Sequence, residues 1–153
     1  MIESASPEWR AATEADGCDI RELLGLSALP TADIESSRPE FIVAREGSQL
    51  VAVGGLQRFG KVGLLRSVAV RVGWRGTGLG QAVVKRLEQH ARMAGVTELV
   101  LLTETAREFF ESQGYEAIDR RAAPSAVQGS EEFKALCPQS AACMLKRLES
   151  FPR

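Results

Sequence analysis

The residues best placed to do chemistry lie in Val68-Ala69-Val70-Arg71-Val72-Gly73-Trp74-Arg75-Gly76-Thr77-Gly78-Leu79-Gly80. An apolar, β-branched run ends, a glycine-rich turn follows, and an amphipathic pattern starts at once. Glycine there lets the backbone approach a ligand and take φ values that other residues avoid. The new helix aims unpaired N–H groups, and the positive end of its dipole, at whatever sits in the turn. A phosphate or pyrophosphate is the natural occupant, and Arg75 adds a charged fork beside it. The glycines read Gly76-x-Gly78-x-Gly80, which is not the dinucleotide fingerprint, and no Gly-Lys-Ser/Thr follows to make a P-loop.

Two cysteines form the next candidate group. Cys137 and Cys143 would be soft ligands as thiolates and small buried hydrophobes as thiols. The chain has three cysteines, an odd number, which argues against a disulfide framework and for free thiols in the cytoplasm. Its one histidine, His90, is far from both in sequence, so no four-ligand zinc set forms and no metal is expected. A net charge of −1 and a pI near 5.9 leave no basic footprint for nucleic acid. No apolar run approaches bilayer length, and Met1 to Arg10 is too acidic and polar for a signal peptide. A length of 153 residues suits one domain, 1–153, with room for a real core. A homodimer is left open.

The elements that must position these groups follow from patterning. Trp9 to Ala12 reads as a short strand, and Thr13-Glu14-Ala15-Asp16 opens a helix with Ile20, Leu23, Leu24 and Ser27 on one face. Thr31 to Pro39 reads as a loop or a short helical turn. Phe41 to Ala44, Leu50 to Leu56 and Val62 to Val72 read as a β-meander feeding the glycine turn. From Gly78 a helix is expected, its stripe made of Leu79, Val83, Leu87, Ala91 and Ala94, with His90 on the solvated side and Gly95 at its end. Leu99 to Leu102 has the continuous apolar run of a central strand. A short helix, Ala106 to Gln113, a strand, Tyr115 to Asp119, a Ser130-capped helix, Glu131 to Leu136, and a last strand, Ala141 to Leu148, complete an α/β mixed sheet of order β-α-β-β-β-α-β-α-β-β.

With the strand before it and the helix after it, Arg75-x-x-Gly78-x-Gly80 resembles the acetyl-CoA signature of the GNAT family, the Gcn5-related N-acetyltransferases. The resemblance covers roughly Phe41 to Asp119. It implies two parallel strands splayed apart to admit the acetyl-CoA arm, with acetyl-CoA as cosubstrate and a small-molecule amine as acceptor. The backbone of Val68 and Val70 would bind the pantetheine like an added strand. Arg75, Gly76, Thr77, Gly78, Leu79 and Gly80 would hold the pyrophosphate, and Thr105 and Phe110 would line the arm. Many relatives read F-Y-E-x-x-G-F, where the tyrosine protonates the leaving thiolate. This chain has Phe110 there, and Tyr115 falls where relatives place a core aromatic. A glutamate that relatives often carry on the strand before the turn corresponds to Arg66. Arginine cannot accept a proton, so it is either a bidentate clamp for an anionic acceptor, joined by Arg58 across the hairpin, or a surface residue. Glu104, at the mouth of the splay, is the preferred base. The ending Glu132-Phe133-x-x-Leu136-Cys137-Pro138-x-Ser140-Ala141-x-Cys143-Met144, with Leu64-Leu65-Arg66-Ser67-Val68-Ala69-Val70, resembles the small arsenic-resistance N-acetyltransferases. The function expected is direct acetyl transfer to a small amino-acid-like amine. A non-catalytic acyl-CoA-binding protein and an arsenite binder using Cys137 and Cys143 are the alternatives.

Overall fold

A computed structural model describes residues 7–148. The first part of the Met1 to Arg10 segment therefore lies outside the described residues. Seven strands form one sheet in the order β1-β2-β3-β4-β5-β7-β6. They are β1 (Glu8–Ala11), β2 (Glu40–Glu46), β3 (Gln49–Phe59), β4 (Val62–Val70), β5 (Glu98–Thr103), β6 (Glu116–Ile118) and β7 (Ala142–Arg147). All pairings are antiparallel except β4 with β5. This is the expected α/β mixed sheet.

The period-2 alternation of β3 and β4 feeds two layers. One face carries Val53, Leu64 and Ala69 beneath α1 (Gly17–Leu26) and α5 (Ser125–Gln128), whose Leu23, Leu24 and Val127 are fully covered. The other carries Ala52, Leu56 and Leu65 beneath α3 (Leu79–Met93) and α4 (Arg107–Ser112). The stripe read for α3 is buried at Leu79, Val83, Leu87 and Ala91. The helix lies so close to β3 that a Cβ on Gly54 would come within 2.4 Å of Val83 and 2.7 Å of Leu87.

Some boundaries differ from the sequence expectation. The third meander strand ends at Val70, not Val72, because Val72–Trp74 winds into a 3-10 turn. The N-terminal helix starts with a 3-10 turn, Glu14–Asp16, before α1. In the polar stretch read as a loop or a short helical turn, Ile34–Ser37 forms the turn, α2. The Ser130-capped segment is a five-residue π-type helix, Glu132–Leu136. The helix α5 before it was not expected. β7 sits between β5 and β6, although it follows both in the chain.

Candidate functional site

β4 and β5 pair only at Val62/Glu98, Gly63/Leu99 and Leu64/Val100, and then part. From Leu65 to Val70, β4 keeps its bonds to β3 and has no strand partner on its other edge. Between the parted strands lies a cavity of about 460 Å³ lined by Leu65–Val70, Leu101–Thr105, Phe110 and the end of α1. A second cavity, at the glycine turn, is lined by Gly76, Gly78, Gly80 and Phe109; Val70 and Arg75 line both, so the two cavities of this cleft adjoin. Val68, Val70, Glu104, Thr105 and Phe110 are thus brought together as expected.

A bulge aims β4 into this cleft. Val53 faces Ala69 and Gly55 faces Arg66, so Gly54 alone opposes Ser67 and Val68. Ser67 takes φ 59°, a left-handed conformation that a side chain disfavours. At the turn, Gly76 has φ 81° and Gly78 φ 86°, and Gly78 is the N-cap of α3. A Cβ on either glycine would meet no atom within 4 Å, so the space beside the turn is open to a ligand. The turn from Arg75 to Gly78 is exposed, and Arg75 Nε donates to the Val70 carbonyl at 3.1 Å. Leu79 sends its side chain into the core, so only its backbone faces the turn.

The far end of the cleft is built from buried charge. The Arg66 side chain is wholly buried. Nη1 donates to Asp33 at 2.6 Å and to Gln57 at 3.4 Å, and Nη2 to Asp33 at 2.7 Å. Nε donates to Ser67 Oγ at 3.2 Å, and Glu132 lies 3.4 Å from Nη2. Four hydrogen bonds and one ion pair hold the guanidinium in place. Arg66 is therefore neither a surface arginine nor an open clamp; it ties β4 to α2 and to the Glu132–Leu136 helix. Arg58 does not join it. The register pairs Arg58 with Gly63 and Gly55 with Arg66, which puts the two arginines on opposite faces, and Arg58 pairs with Glu40 at 2.7 Å.

The two carboxyls on Arg66 behave differently. Burial works to raise Asp33, but hydrogen bonds from Arg66 and Ser37 and the charge of Arg66 outweigh it, and Asp33 lies below the usual carboxylate range. At Glu132 burial wins over the attraction of Arg66, and the carboxyl is pushed up. Burial, then Glu132, raises the Cys137 thiol to about 12, and burial raises Cys143 to about 11. Both are held as thiols, and Cys143 packs in the core with Phe133 and Val127. No group of metal-binding side chains occurs among the described residues. The soft-ligand alternative finds no support in this arrangement.

Tyr115 is core, 2% exposed, with its hydroxyl donating to Glu88 at 2.9 Å; Lys146 meets the same carboxylate at 3.0 Å. Phe110 stacks edge-on against both Phe109 and Tyr115. His90 is half exposed and 3.4 Å from Glu40, in a separate groove between β1, α1 and β2. Sequence reasoning missed Asp33 and Gln57 as the partners of Arg66 and Ser27 as a residue lining the cleft. Their only local signal is polarity within a loop or strand, and their partners are distant in the chain.

The model of the acetyltransferase (GNAT) domain matches residues 37–117. Glucosamine 6-phosphate N-acetyltransferase 1 of Oryza sativa subsp. japonica is 31% identical over 101 residues, 66% of this chain and 61% of that one. Among solved structures, N-acetylglutamate synthase from Neisseria gonorrhoeae, complexed with coenzyme A and N-acetyl-glutamate, has a TM-score of 0.80 at 18% identity, covering 96% of this chain and 36% of that one. A Mycobacterium tuberculosis protein in complex with CoA has a TM-score of 0.74 at 25% identity, covering 94% of this chain and all of that one. The chain thus spans less than two thirds of the rice enzyme and about a third of the gonococcal synthase.

Proposed function

The chain belongs to the GNAT acetyltransferase family, and from that membership we propose that it transfers acetyl groups from acetyl-CoA directly to a small amino-acid-like amine. The observation that carries this is the pair of adjoining cavities, one along the open β4 edge and one at the glycine turn. A strand edge with unpaired N–H and C=O groups suits the amides of a pantetheine arm. The open space at Gly76 and Gly78, the N-terminus of α3 and Arg75 suit a pyrophosphate.

Acetyl-CoA supplies an activated thioester: transfer breaks its C–S bond, forms an amide C–N bond, and leaves one proton to remove from nitrogen and one to return to sulfur. Backbone N–H groups at the Ser67–Val68 bulge would stabilise the developing oxyanion. Glu104, exposed at the mouth and lining the cleft, is the residue to take the amine's proton, directly or through a water. Phe110 offers no proton, and the Tyr115 hydroxyl is committed to Glu88. Water therefore returns the proton to sulfur. The arsenic-resistance assignment rests on the resemblance of Glu132 to Met144 and of Leu64 to Val70 alone.

Consumption of acetyl-CoA against a panel of amino acids, amino sugars and their arsenical and phosphinic analogues tests this reading. Turnover with an amino acid supports it. CoA binding without turnover on any amine replaces it with an acyl-CoA-binding protein.

A further inference from the structure

The groove between β1, α1 and β2 encloses about 460 Å³, within the range of about 300–1,000 Å³ that small-molecule sites occupy. It shares no lining residue with either cavity of the cleft, and acetyl transfer gives it no task.

Its floor is apolar. Ile20, Ile34 and Phe41 pack in one cluster with Val43 and Val53, yet Ile34 and Phe41 are only partly covered. The Phe41 ring lies over Gly55, where a Cβ would come within 3.0 Å of it, so glycine there lets the ring settle against β3.

Two arginines line the same groove. A Cβ on Gly17 would stand 3.6 Å from Arg21 Nη1, which places that guanidinium back along α1, over a residue that itself lines the groove. Arg21 pairs with Glu35 at 3.5 Å, but Glu35 is 92% exposed, and an exposed pair of this kind holds its arginine weakly. Arg38 has no ion pair among the described residues, and it takes φ 47° at the C-cap of α2, next to the place where helices favour glycine. Of the acids that line the groove, Glu40 is engaged by Arg58 at 2.7 Å and by His90 at 3.4 Å. Glu14 is exposed and has no ion pair among the described residues, and its charge opposes a second negative charge on a ligand.

We propose that this groove binds a small apolar monocarboxylate, with its carboxylate on Arg21 and Arg38 and its body on Ile20, Ile34 and Phe41.

Phenylbutyrate, titrated calorimetrically into the whole chain with and without CoA, tests this. A dissociation constant of about 1 mM or tighter is expected, the scale that so small a ligand reaches, and CoA should leave it unchanged. The neutral phenylbutyramide should bind at least about tenfold more weakly, a comparison that needs no variant. Arg21→Gln and Arg38→Asn should each weaken phenylbutyrate about tenfold, the worth of one hydrogen bond to a charged group. Both side chains are exposed, and asparagine tolerates the left-handed backbone at position 38, so the variants keep the fold. No saturable binding, equal affinity for the amide, variants that bind as the parent does, or displacement by CoA overturns the proposal. No turnover enters these measurements, so they stand apart from the acetyltransferase reading.

Discussion

The two ends of the cleft solve opposite problems. At the glycine turn the groups that could meet a ligand are backbone N–H groups and an exposed arginine, Arg75, with open space beside them. At the Arg66 end the charges are buried and face one another, and the guanidinium is held by Asp33, Gln57, Ser67 and Glu132. Charge left free at the surface can serve an incoming anion. Charge buried and paired fixes three elements around the site. The same residue type is thus left open to solvent in one place and is a structural tie in the other.

The largest expected effect tests the buried end. Asp33→Ala strands the Arg66 guanidinium with Glu132 as its remaining acidic partner. Breaking a buried pair costs about 3–5 kcal/mol, read by urea denaturation. A loss below about 1 kcal/mol would mean that this end is as wet as the turn.

Next comes the open end. Gly78 has φ 86°, so a valine there mixes strain with blockage. Gly80 is helical, and a Cβ on it meets Phe109 at 3.5 Å and Val70 at 3.8 Å, ordinary contacts. Gly80→Val should therefore keep stability and lower CoA affinity by more than tenfold, a loss above about 1.4 kcal/mol, by calorimetric titration. Unchanged affinity would move the pyrophosphate elsewhere.

Tyr115→Phe removes one hydrogen bond to Glu88, which keeps Lys146. Stability should fall by about 1.5 kcal/mol while turnover stays within a few-fold. A hundredfold drop in the rate of the folded variant, the scale of losing a general acid, would make Tyr115 the missing acid.

The smallest effect is a slope. Glu132 is held above its usual range, so the folded chain keeps a proton that the unfolded chain releases. Stability therefore falls as pH rises from the unfolded carboxylate value through the folded one. Asp33 acts with the opposite sign: its contribution is present above the unfolded value and is lost as pH falls through the folded one. Above the unfolded carboxylate value, Glu132→Gln should lose less stability with rising pH than the parent. Equal slopes would show that Glu132 is ionised throughout.

The open end was legible in the sequence because it is local. Val68 to Gly80 is a strand end, a turn and a helix start, and each signal sits within a few residues of the next. The meander and the α3 stripe were legible for the same reason. The closed end was not, because its residues meet only through the tertiary fold. Asp33 is 33 residues from Arg66 in sequence, inside a stretch that reads as a loop. Glu132 lies in the segment read as a Ser130-capped helix, but nothing in that local pattern says that it packs beside Arg66. Arg58 and Arg66 read as neighbours across a hairpin, but one residue of register decides which face each takes.

The placement of β7 reaches beyond the site. Among the described residues, β6 has no strand partner except β7, and β5 has none on its far side except β7. While the chain emerges from the ribosome, the sheet therefore cannot close until residues 142–147 are free. For that interval β5, an apolar strand, presents a bare edge to other nascent chains, the kind of surface that chaperones shield. Truncation or stalling just before Ala142 should yield insoluble protein rather than a smaller folded one.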